Sequence, residues 1–299
     1  DALAILTRLL NDLAERKPVD GNRIRKMSRR FVDIFLNDRN ILLNISNTKH
    51  NSGDDYLYHH SLNVCLLSIN IAAANNYTRS QVVEIGMGAA LHDVGMLLIP
   101  GAIRTKRGKL SSDEWFEVQK HPILGLHLLE KVSRLPESVP YMAYQVHERE
   151  NRTGYPKQRN GVRVHRYAKV VQIADVYEAM TAPRSYRDPH IPFDSMTRVV
   201  KMGRKDFVER SFVDGFLEYA SLFPVGSLVE LNDHRIAKVV HANGGFPDKP
   251  VVGVLTDTEQ NLLPENDVYE EDLSRGGEQL ITRALPCDYL KNLEIMHGF

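Results

Sequence analysis

The sequence predicts a mainly α-helical fold, a helical bundle followed by a small β-barrel-like module at the C-terminus. Through most of residues 1–220, apolar residues recur every three or four positions, as in helices that pack on a core. Beyond about Phe223, short β-like runs are separated by residues that favour turns. We therefore predict an N-terminal helical segment (1–45), a helical domain (46–220) and a β-rich module (221–299).

The composition argues against several classes of protein. Lysine plus arginine and aspartate plus glutamate both number 38, so the formal net charge is zero. DNA- or RNA-binding proteins usually show a basic excess, although a small anion can still be held by local cations. The two cysteines, Cys65 and Cys287, are far apart and are expected to be reduced. Without a signal peptide or a membrane-spanning apolar run, we expect a cytoplasmic chain; a sensor or membrane segment ahead of Asp1 stays open.

The N-terminal segment predicts two helices with no chemistry of their own. Their apolar stripes are Leu3, Leu6, Leu9 and Leu10, and then Ile24, Met27, Phe31, Ile34 and Phe35. Pro18 and Gly21 separate the two helices. We interpret them as a packing pair, and a regulatory or dimerising role, as in a homodimer, stays open.

The helical domain carries a His92-Asp93 pair at the end of an apolar helix rich in small residues. An imidazole and a carboxylate side by side can hold one metal ion, and the second carboxylate oxygen can bridge to another. Thr78 and Gln81 form a capping-box pattern that starts this helix, and the preceding apolar helix begins near His60. Two antiparallel helices would bring His60 beside His92-Asp93. Taken alone, the His92-Asp93 pair and His60 are each better explained as helix-end residues satisfied by hydrogen bonds, so the case for a metal depends on the rest of the chain.

Further candidate ligands recur downstream. Ser111 and Glu114 form a second capping box, and the helix that they open leads to His121-Pro122, because proline is favoured in the first turn of a helix. Another helix leads to His147. The apolar helix over 168–182 contains the acid Asp175, which is costly to bury unless it is paired or bound to a metal.

Residues 147–156 predict an ordered loop, because polar residues end in Gly154-Tyr155-Pro156. A tyrosine between glycine and proline suits a positioned side chain that touches a ligand, and a plain turn is the alternative. Arg184 and Arg187 suit phosphate oxygens because guanidinium is planar and always charged. Solvated surface arginines are the alternative there.

The β-rich module shows no chemistry. Its β-like runs are residues 225–231, 236–240 and 251–255, and the turns between them contain Asn232-Asp233, Asn243-Gly244-Gly245 and Pro247-Asp248.

Taken in order, these stretches resemble the HD-GYP family, a branch of the HD metal-dependent phosphohydrolases. The resemblance runs from His60 to Arg187, and five motifs in one order are not expected by chance. The motifs are His60-Ser61 with Asn63-Val64, His92-Asp93-Val94-Gly95, His121-Pro122 with Gly125, His147-Glu148-Arg149 with Gly154-Tyr155-Pro156, and Ile173-Ala174-Asp175-Val176-Tyr177 with Arg184 and Arg187.

The resemblance implies an HD-type helical bundle with two or three divalent metal ions, and hydrolysis of cyclic di-GMP to pGpG or GMP. Iron or manganese is the expected metal, and zinc, nickel and magnesium are alternatives. The implied ligands are His60, His92, Asp93 and Asp175 for one ion and His121 and His147 for the other, with Asp93 bridging. His92 and Asp93 would be the catalytic pair.

The resemblance also assigns substrate and partner contacts. Arg184 and Arg187 would hold the second phosphate. Tyr155 would shape the substrate pocket, or its Gly154-Tyr155-Pro156 loop would contact protein partners.

The chain departs from the family pattern at the site. Tyr56 stands where members with three metals have a glutamate, and Val146 stands where they have the first of two histidines, so we expect a binuclear centre. Met96 replaces a lysine that helps to hold substrate. Asn151-Arg152 replaces Asp-Gly, and Pro183 replaces an aspartate. We assign Arg152 as a substrate contact that compensates for Met96.

The leading hypothesis is a phosphodiesterase acting on cyclic di-GMP or a related cyclic dinucleotide through a binuclear metal centre. Met96 and Val146 favour a rival, a degenerate member that binds metal and nucleotide but signals by protein contact. The six remaining ligands favour the enzyme. Hydrolysis of another phosphoester is a third hypothesis, because the metal core does not specify guanine.

Overall fold

The structure, a computed structural model, describes residues 2–37, 56–182, 190–243, 245–275, 277–286 and 289–290. Its contacts divide the chain into two compact units, Asp1–Pro189 with Val199–Val213 and His190–Arg198 with Asp214–Phe299. The predicted fold class, mainly α with a small β-rich C-terminal module, is confirmed. The described helices are α1 (Ala2–Ala14), α2 (Gly21–Asn37), α3 (Tyr56–Ala74), α4 (Arg79–Leu91), α5 (Gly101–Arg104), α6 (Ser112–Val118), α7 (His121–Leu129), α8 (Ser138–Gln145), α9 (Arg166–Thr181), α10 (Pro192–Arg204) and α11 (Arg210–Ala220).

The two N-terminal helices form as predicted, with one correction. α1 buries Leu6, Leu9 and Leu10 of its predicted stripe and leaves Leu3 half-buried, and α2 buries Ile24, Met27, Phe31 and Phe35. Ile34, assigned to the same stripe, is instead 40% exposed. An α-helix has slightly more than 3.5 residues per turn, so residues seven apart do not lie on quite the same face. The buried face therefore includes position 35 rather than position 34.

α3 lies at the centre of the helical unit, packed against α4 and α9. Its buried residues include the polar Ser61, Ser68 and Asn70 as well as aliphatic ones. A helix enclosed in this way belongs to a core, so His60, near its start, is only 3% exposed. The thiol of Cys65 is also buried and free, whereas Cys287 lies outside the described residues.

Both predicted capping boxes are confirmed at the starts of α4 and α6. Thr78 and Ser111 accept hydrogen bonds from the backbone of Gln81 and Glu114, whose side chains accept in return. These local contacts fix where each helix begins.

A glycine places the end of α4 against α7. After α4, residues Val94–Leu98 form a 3-10 turn. A Cβ atom on Gly95 would overlap the carbonyl oxygen of His121 and would lie 2.6 Å from Gly125 N. Only glycine allows this approach, which brings Asp93 and His121 into one region.

The second unit contains an antiparallel sheet in the order β4-β3-β2-β1-β5. Its strands are β1 (Leu228–Leu231), β2 (Ile236–His241), β3 (Val251–Val254), β4 (Tyr269–Asp272) and β5 (Ile281–Leu285). Val229, Val239 and Val252 lie in its core. The three predicted strands are present, but β4 and β5 were missed. β4 reads Tyr-Glu-Glu-Asp, and charged edge strands lack the apolar alternation that reveals a strand.

Among the described residues, no helix has both the length and the apolar character needed to cross a membrane.

Candidate metal centre

The structure brings the six predicted ligands together from five parts of the helical unit. They are His60 in α3, His92 and Asp93 after α4, His121 at the start of α7, His147 after α8 and Asp175 in α9. The four histidines and Asp175 are buried, Asp93 is close to buried, and the side chains of both acids are 13% exposed. Burying so many polar groups is unfavourable unless they interact strongly with one another or with a bound ion.

Asp93 is the centre of this cluster. Its Oδ1 lies 3.2 Å from His121 Nε2 and 3.3 Å from His147 Nε2. The same oxygen lies 3.5 Å from His92 Nε2, and Oδ2 lies 3.6 Å from His60 Nε2. Two groups with ligand spacing result, one with His60 and His92 and the other with His121 and His147. Asp93 belongs to both groups, which suits a carboxylate shared between two cations.

Asp175 faces the same cluster from α9. Its Oδ1 lies 3.4 Å from His60 Nε2 and 4.0 Å from His92 Nε2, as expected for a ligand of the first group. Its Oδ2 also lies 3.6 Å from His147 Nδ1, a contact that was not predicted. Asp175 therefore touches histidines of both groups.

Two of the rings are already oriented as metal ligands require. His92 Nδ1 donates to Ala89 O, and His121 Nδ1 donates to Val118 O, both at 2.8 Å. The proton on Nδ1 leaves a lone pair on Nε2. Both Nε2 atoms are buried and lack a hydrogen-bond partner in the described part of the chain. A cation between these nitrogens and Asp93 would satisfy them, so the residues present fit a metal.

Glu178, which was not predicted from the sequence, holds His60. Its Oε2 lies 2.5 Å from His60 Nδ1, and its Oε1 accepts a hydrogen bond from Asn63 Nδ2 at 3.2 Å. Tyr56 stacks on the His60 ring with centroids 5.5 Å apart and donates its hydroxyl to Glu178. A carboxylate on Nδ1 aims Nε2 at Asp93 and Asp175. The sequence contains one signal for this role: Glu178 follows Asp175 by three residues, so the two acids lie on the same face of the helix.

The crowding of acids and histidines shifts their pKa values. Burial alone would raise the pKa of Asp93, but the surrounding histidines, His92 foremost, hold it well below its usual range. Burial also opposes the lowered pKa of Asp175, where the hydrogen bond with His60 contributes most to the lowering. Burial alone would lower the pKa of His60, but Glu178 and Asp175 raise it to about 10. Both acids are thus charged at neutral pH, and His60 must lose a proton before Nε2 can bind a cation.

A row of aromatic rings leads from the cluster towards the surface. Tyr155 N donates to His147 O, and a Cβ atom on Gly154 would overlap that oxygen, so glycine lets the loop fold back on the ligand. The Tyr155 ring stacks on His147 at 4.9 Å and 15°. Trp115 meets Tyr155 edge-on at 5.8 Å and is 45% exposed. The predicted loop is thus ordered and presents Tyr155 beside a candidate ligand.

Arg149 adds a cation to this region and was given no role from the sequence. Burial lowers the pKa of its guanidinium, and the charge of Asp175 opposes that effect. The guanidinium donates to Glu148 O at 3.3 Å. A partly buried cation therefore lies within the electrostatic field of the cluster.

The arginines predicted as substrate contacts have different outcomes. Arg184 and Arg187 lie outside the described residues. Arg152 is exposed and lines a separate cavity. At two positions that depart from the family pattern, Val146 is fully buried, and Met96 is half-buried in the 3-10 turn.

Models of protein families match both units of the chain. A model of the HD domain matches residues 36–208. A model described as a KOW domain associated with HD domain matches residues 228–293.

Several curated proteins are similar to this chain. It is 29% identical over 278 residues to cyclic di-GMP phosphodiesterase PA4108 of Pseudomonas aeruginosa, covering 93% of the chain and 66% of that protein. It is 28% identical over 203 residues to cyclic di-GMP phosphodiesterase PdeB of Borreliella burgdorferi, covering 66% and 52%. It is 34% identical over 131 residues to 3'3'-cGAMP-specific phosphodiesterase 2 of Vibrio cholerae, covering 44% and 25%. The aligned parts thus make up between a quarter and two thirds of these relatives.

A solved structure shares the fold. Bd1817, a HDG"Y"P protein from Bdellovibrio bacteriovorus, matches with a TM-score of 0.59 at 16% identity, covering 72% of this chain and 67% of that one. At this identity the likeness concerns the fold alone. Because the HD domain model matches more than half of the residues, including all six candidate ligands, the chain belongs to the HD domain family.

Proposed function

We propose that this chain is a metal-dependent phosphodiesterase that hydrolyses cyclic di-GMP to pGpG, GMP or both at a binuclear centre. The observation that carries the proposal is the Asp93 carboxylate, which faces four imidazole nitrogens at distances from 3.2 to 3.6 Å. Relatives named for hydrolysis of cyclic di-GMP and of 3'3'-cGAMP support the substrate class.

The donor set supports two divalent cations. His60, His92, Asp93 and Asp175 would hold one ion, and His121 and His147 would hold the other with Asp93 bridging. Mixed imidazole and carboxylate ligation suits iron or manganese, with zinc, nickel or magnesium as alternatives. When bound there, the two cations would supply polarisation of a phosphodiester and a water of lowered pKa as nucleophile.

The protein's own groups orient this chemistry and place the substrate. Backbone carbonyls fix the rings of His92 and His121, and Glu178 fixes the ring of His60, so these three need little reorganisation on binding. Arg149 supplies positive charge beside Asp175 and would attract a phosphate oxygen, which partly offsets the replacement of the family's lysine by Met96. Arg184 and Arg187 are proposed to hold the second phosphate.

The aromatic row supports a nucleotide over a simpler phosphoester. Bases stack on exposed aromatic side chains whatever their sequence, and each such contact contributes roughly 1–3 kcal/mol. A phosphate at the metal centre would leave its nucleoside within reach of Tyr155 and Trp115, which extend from His147.

The second candidate is a catalytically weak or inactive member that binds metal and cyclic dinucleotide as a sensor or interaction module. Met96 and Val146 favour it, because one removes a cation and the other removes a potential ligand. The Gly154-Tyr155-Pro156 loop would then serve as the contact with protein partners.

Product formation separates these candidates. Protein purified without oxygen and loaded with ferrous iron or manganese is incubated with cyclic di-GMP, and with 3'3'-cGAMP in parallel, using Asp93→Ala as the control. Linear product from the wild type alone supports the phosphodiesterase and shows which nucleotide it prefers. Nucleotide binding without product, at two metals per chain, supports the second candidate. A wild type that takes up no metal contradicts both.

A further inference from the structure

A cavity of about 440 Å³ lies on the loop on both sides of Tyr155, apart from the metal cluster. It is lined by Arg152, Lys157, Gln158, Arg159, Asn160 and Arg163, and by none of the metal-ligand candidates. Four of these six side chains are cationic and none is acidic. The volume falls within the range of sites that bind small molecules.

The four cationic side chains of this basic cavity form no ion pair within the described parts of the chain. The acids that touch this loop are engaged elsewhere, because Glu150 pairs with Lys169 at 3.1 Å. The Glu148 carboxylate accepts the backbone N–H groups of Lys157 and Arg159, both at 2.8 Å. The Glu148 carboxylate therefore holds the loop backbone, while the four cationic side chains stay without a direct acidic partner among the described residues.

The cavity wall also contains buried polar atoms without partners. Arg159 Nε and Asn160 Oδ1 are buried and have no hydrogen-bond partner among the described residues. The Arg159 guanidinium lies 5.7 Å from the centre of the Tyr144 ring, which orients it. Arg152 has a φ of 67°, a left-handed conformation that side-chain-bearing residues rarely adopt.

We propose that this basic cavity binds a small phosphate ester of nucleotide type, at a site separate from the metal centre. A guanidinium group can donate two parallel hydrogen bonds to the oxygens of one phosphate, and the lysine adds a point charge. Asn160 Oδ1 can accept a hydrogen bond from a hydroxyl or amino group of the ligand. A nucleoside monophosphate should therefore bind more tightly than inorganic phosphate.

Calorimetric titration of the metal-loaded protein with AMP and with inorganic phosphate tests the site. The double variant Lys157→Ala with Arg163→Ala removes two exposed cations from the cavity. Its matched control, Arg204→Ala with Lys205→Ala, removes the same two exposed residue types elsewhere in the helical unit. Because two charge-assisted contacts are lost, we expect the cavity variant to bind AMP about tenfold more weakly or worse. The control should match the wild type.

Two further variants separate the cavity from the metal centre and from effects on folding. Asp93→Ala disrupts the metal centre and should keep AMP binding. Arg159→Lys keeps the charge but loses the planar fork, and it should weaken AMP binding with an unchanged unfolding temperature.

Several results would overturn the proposal. They are no AMP binding by the wild type, equal affinity in the wild type and the cavity variant, loss of AMP binding in Asp93→Ala, or equal losses in the cavity variant and its control. None of these results would contradict the proposed phosphodiesterase activity, because that activity is tested by product formation.

Discussion

Replacing Glu178 by glutamine should weaken metal binding although it removes no ligand. Glu178 is 2% exposed and accepts from His60 Nδ1 at 2.5 Å and from Asn63 Nδ2 at 3.2 Å. Glutamine has the same shape, but it loses the charge and turns one acceptor oxygen into a donor. Even if Asn63 turns its amide round, His60 loses the anion that makes its Nε2 a strong ligand.

The size of the effect follows from this contact. Loss of an outer carboxylate beside a ligating histidine typically costs roughly 10- to 100-fold in metal affinity, which is about 1.4–2.8 kcal/mol. We expect the upper half of this range because the pair is short and buried, where charged contacts are strongest. Only the ion held by His60, His92 and Asp93 should be affected. His121 is oriented by Val118 O instead.

Manganese titration with a competing chelator measures both ions in one sample. Glu230→Gln is the matched control, because Glu230 is also a buried glutamate, 7% exposed, that faces His234 Nδ1 at 3.2 Å in the C-terminal unit. One weakened ion in Glu178→Gln and none in the control is the expected result. Unchanged affinity in Glu178→Gln would refute the claim that Glu178 prepares His60 as a ligand.

Three further predictions follow from the same geometry. Gly95→Ala should destabilise the protein by roughly 1–3 kcal/mol in urea unfolding, because its Cβ would overlap His121 O, whereas Gly101→Ala meets nothing within 4 Å and should be near neutral. Trp115→Ala should raise the KM for cyclic di-GMP about tenfold through lost stacking, while Trp115→Phe keeps most of the affinity; an unchanged KM in Trp115→Ala would remove the base-stacking role. In the metal-free protein, Glu178 and Asp175 outweigh burial and raise the pKa of His60 to about 10. The protonated His60 therefore stabilises the folded protein fully below about pH 6.5, and this stabilisation is lost as the pH rises towards 10. The free energy of unfolding in EDTA should fall over that range, and a flat profile would contradict this protonation state.

Local signals account for the parts of the fold that could be predicted. The capping boxes at Thr78 and Ser111 involve residues three apart, so the sequence alone contains both partners. Most candidate ligands follow or open helices, and the order of their motifs was enough to expect them in one cluster. The motif order indicated which residues lie together, and this could be expected without knowing the angles at which the helices cross.

Contacts that depend on how the helices pack could not be predicted in this way. The contact between Asp175 Oδ2 and His147 depends on where α9 lies relative to the end of α8. Glu178 reaches His60 only because α9 packs on α3. The β4 strand was missed for a different reason, since its pairing with β3 supplies backbone order that its charged side chains do not reveal.

The loop after His147 has an inner side that faces the metal cluster and an outer side that faces the basic cavity, and we infer that two departures from the family pattern follow from this. Glu148 joins the sides, because its backbone oxygen accepts from Gln172 while its carboxylate holds the loop backbone. On the inner side, Arg149 lies in the electrostatic field of Asp175, a candidate metal ligand. On the outer side, Arg152 joins the basic cavity rather than the metal cluster. We therefore assign compensation for Met96 to Arg149, and we attribute the arginine at position 152 to the proposed phosphate-ester site. If Arg149→Ala lowered cyclic di-GMP affinity and Arg152→Ala did not, this division would hold; the opposite result would restore Arg152 as the substrate contact.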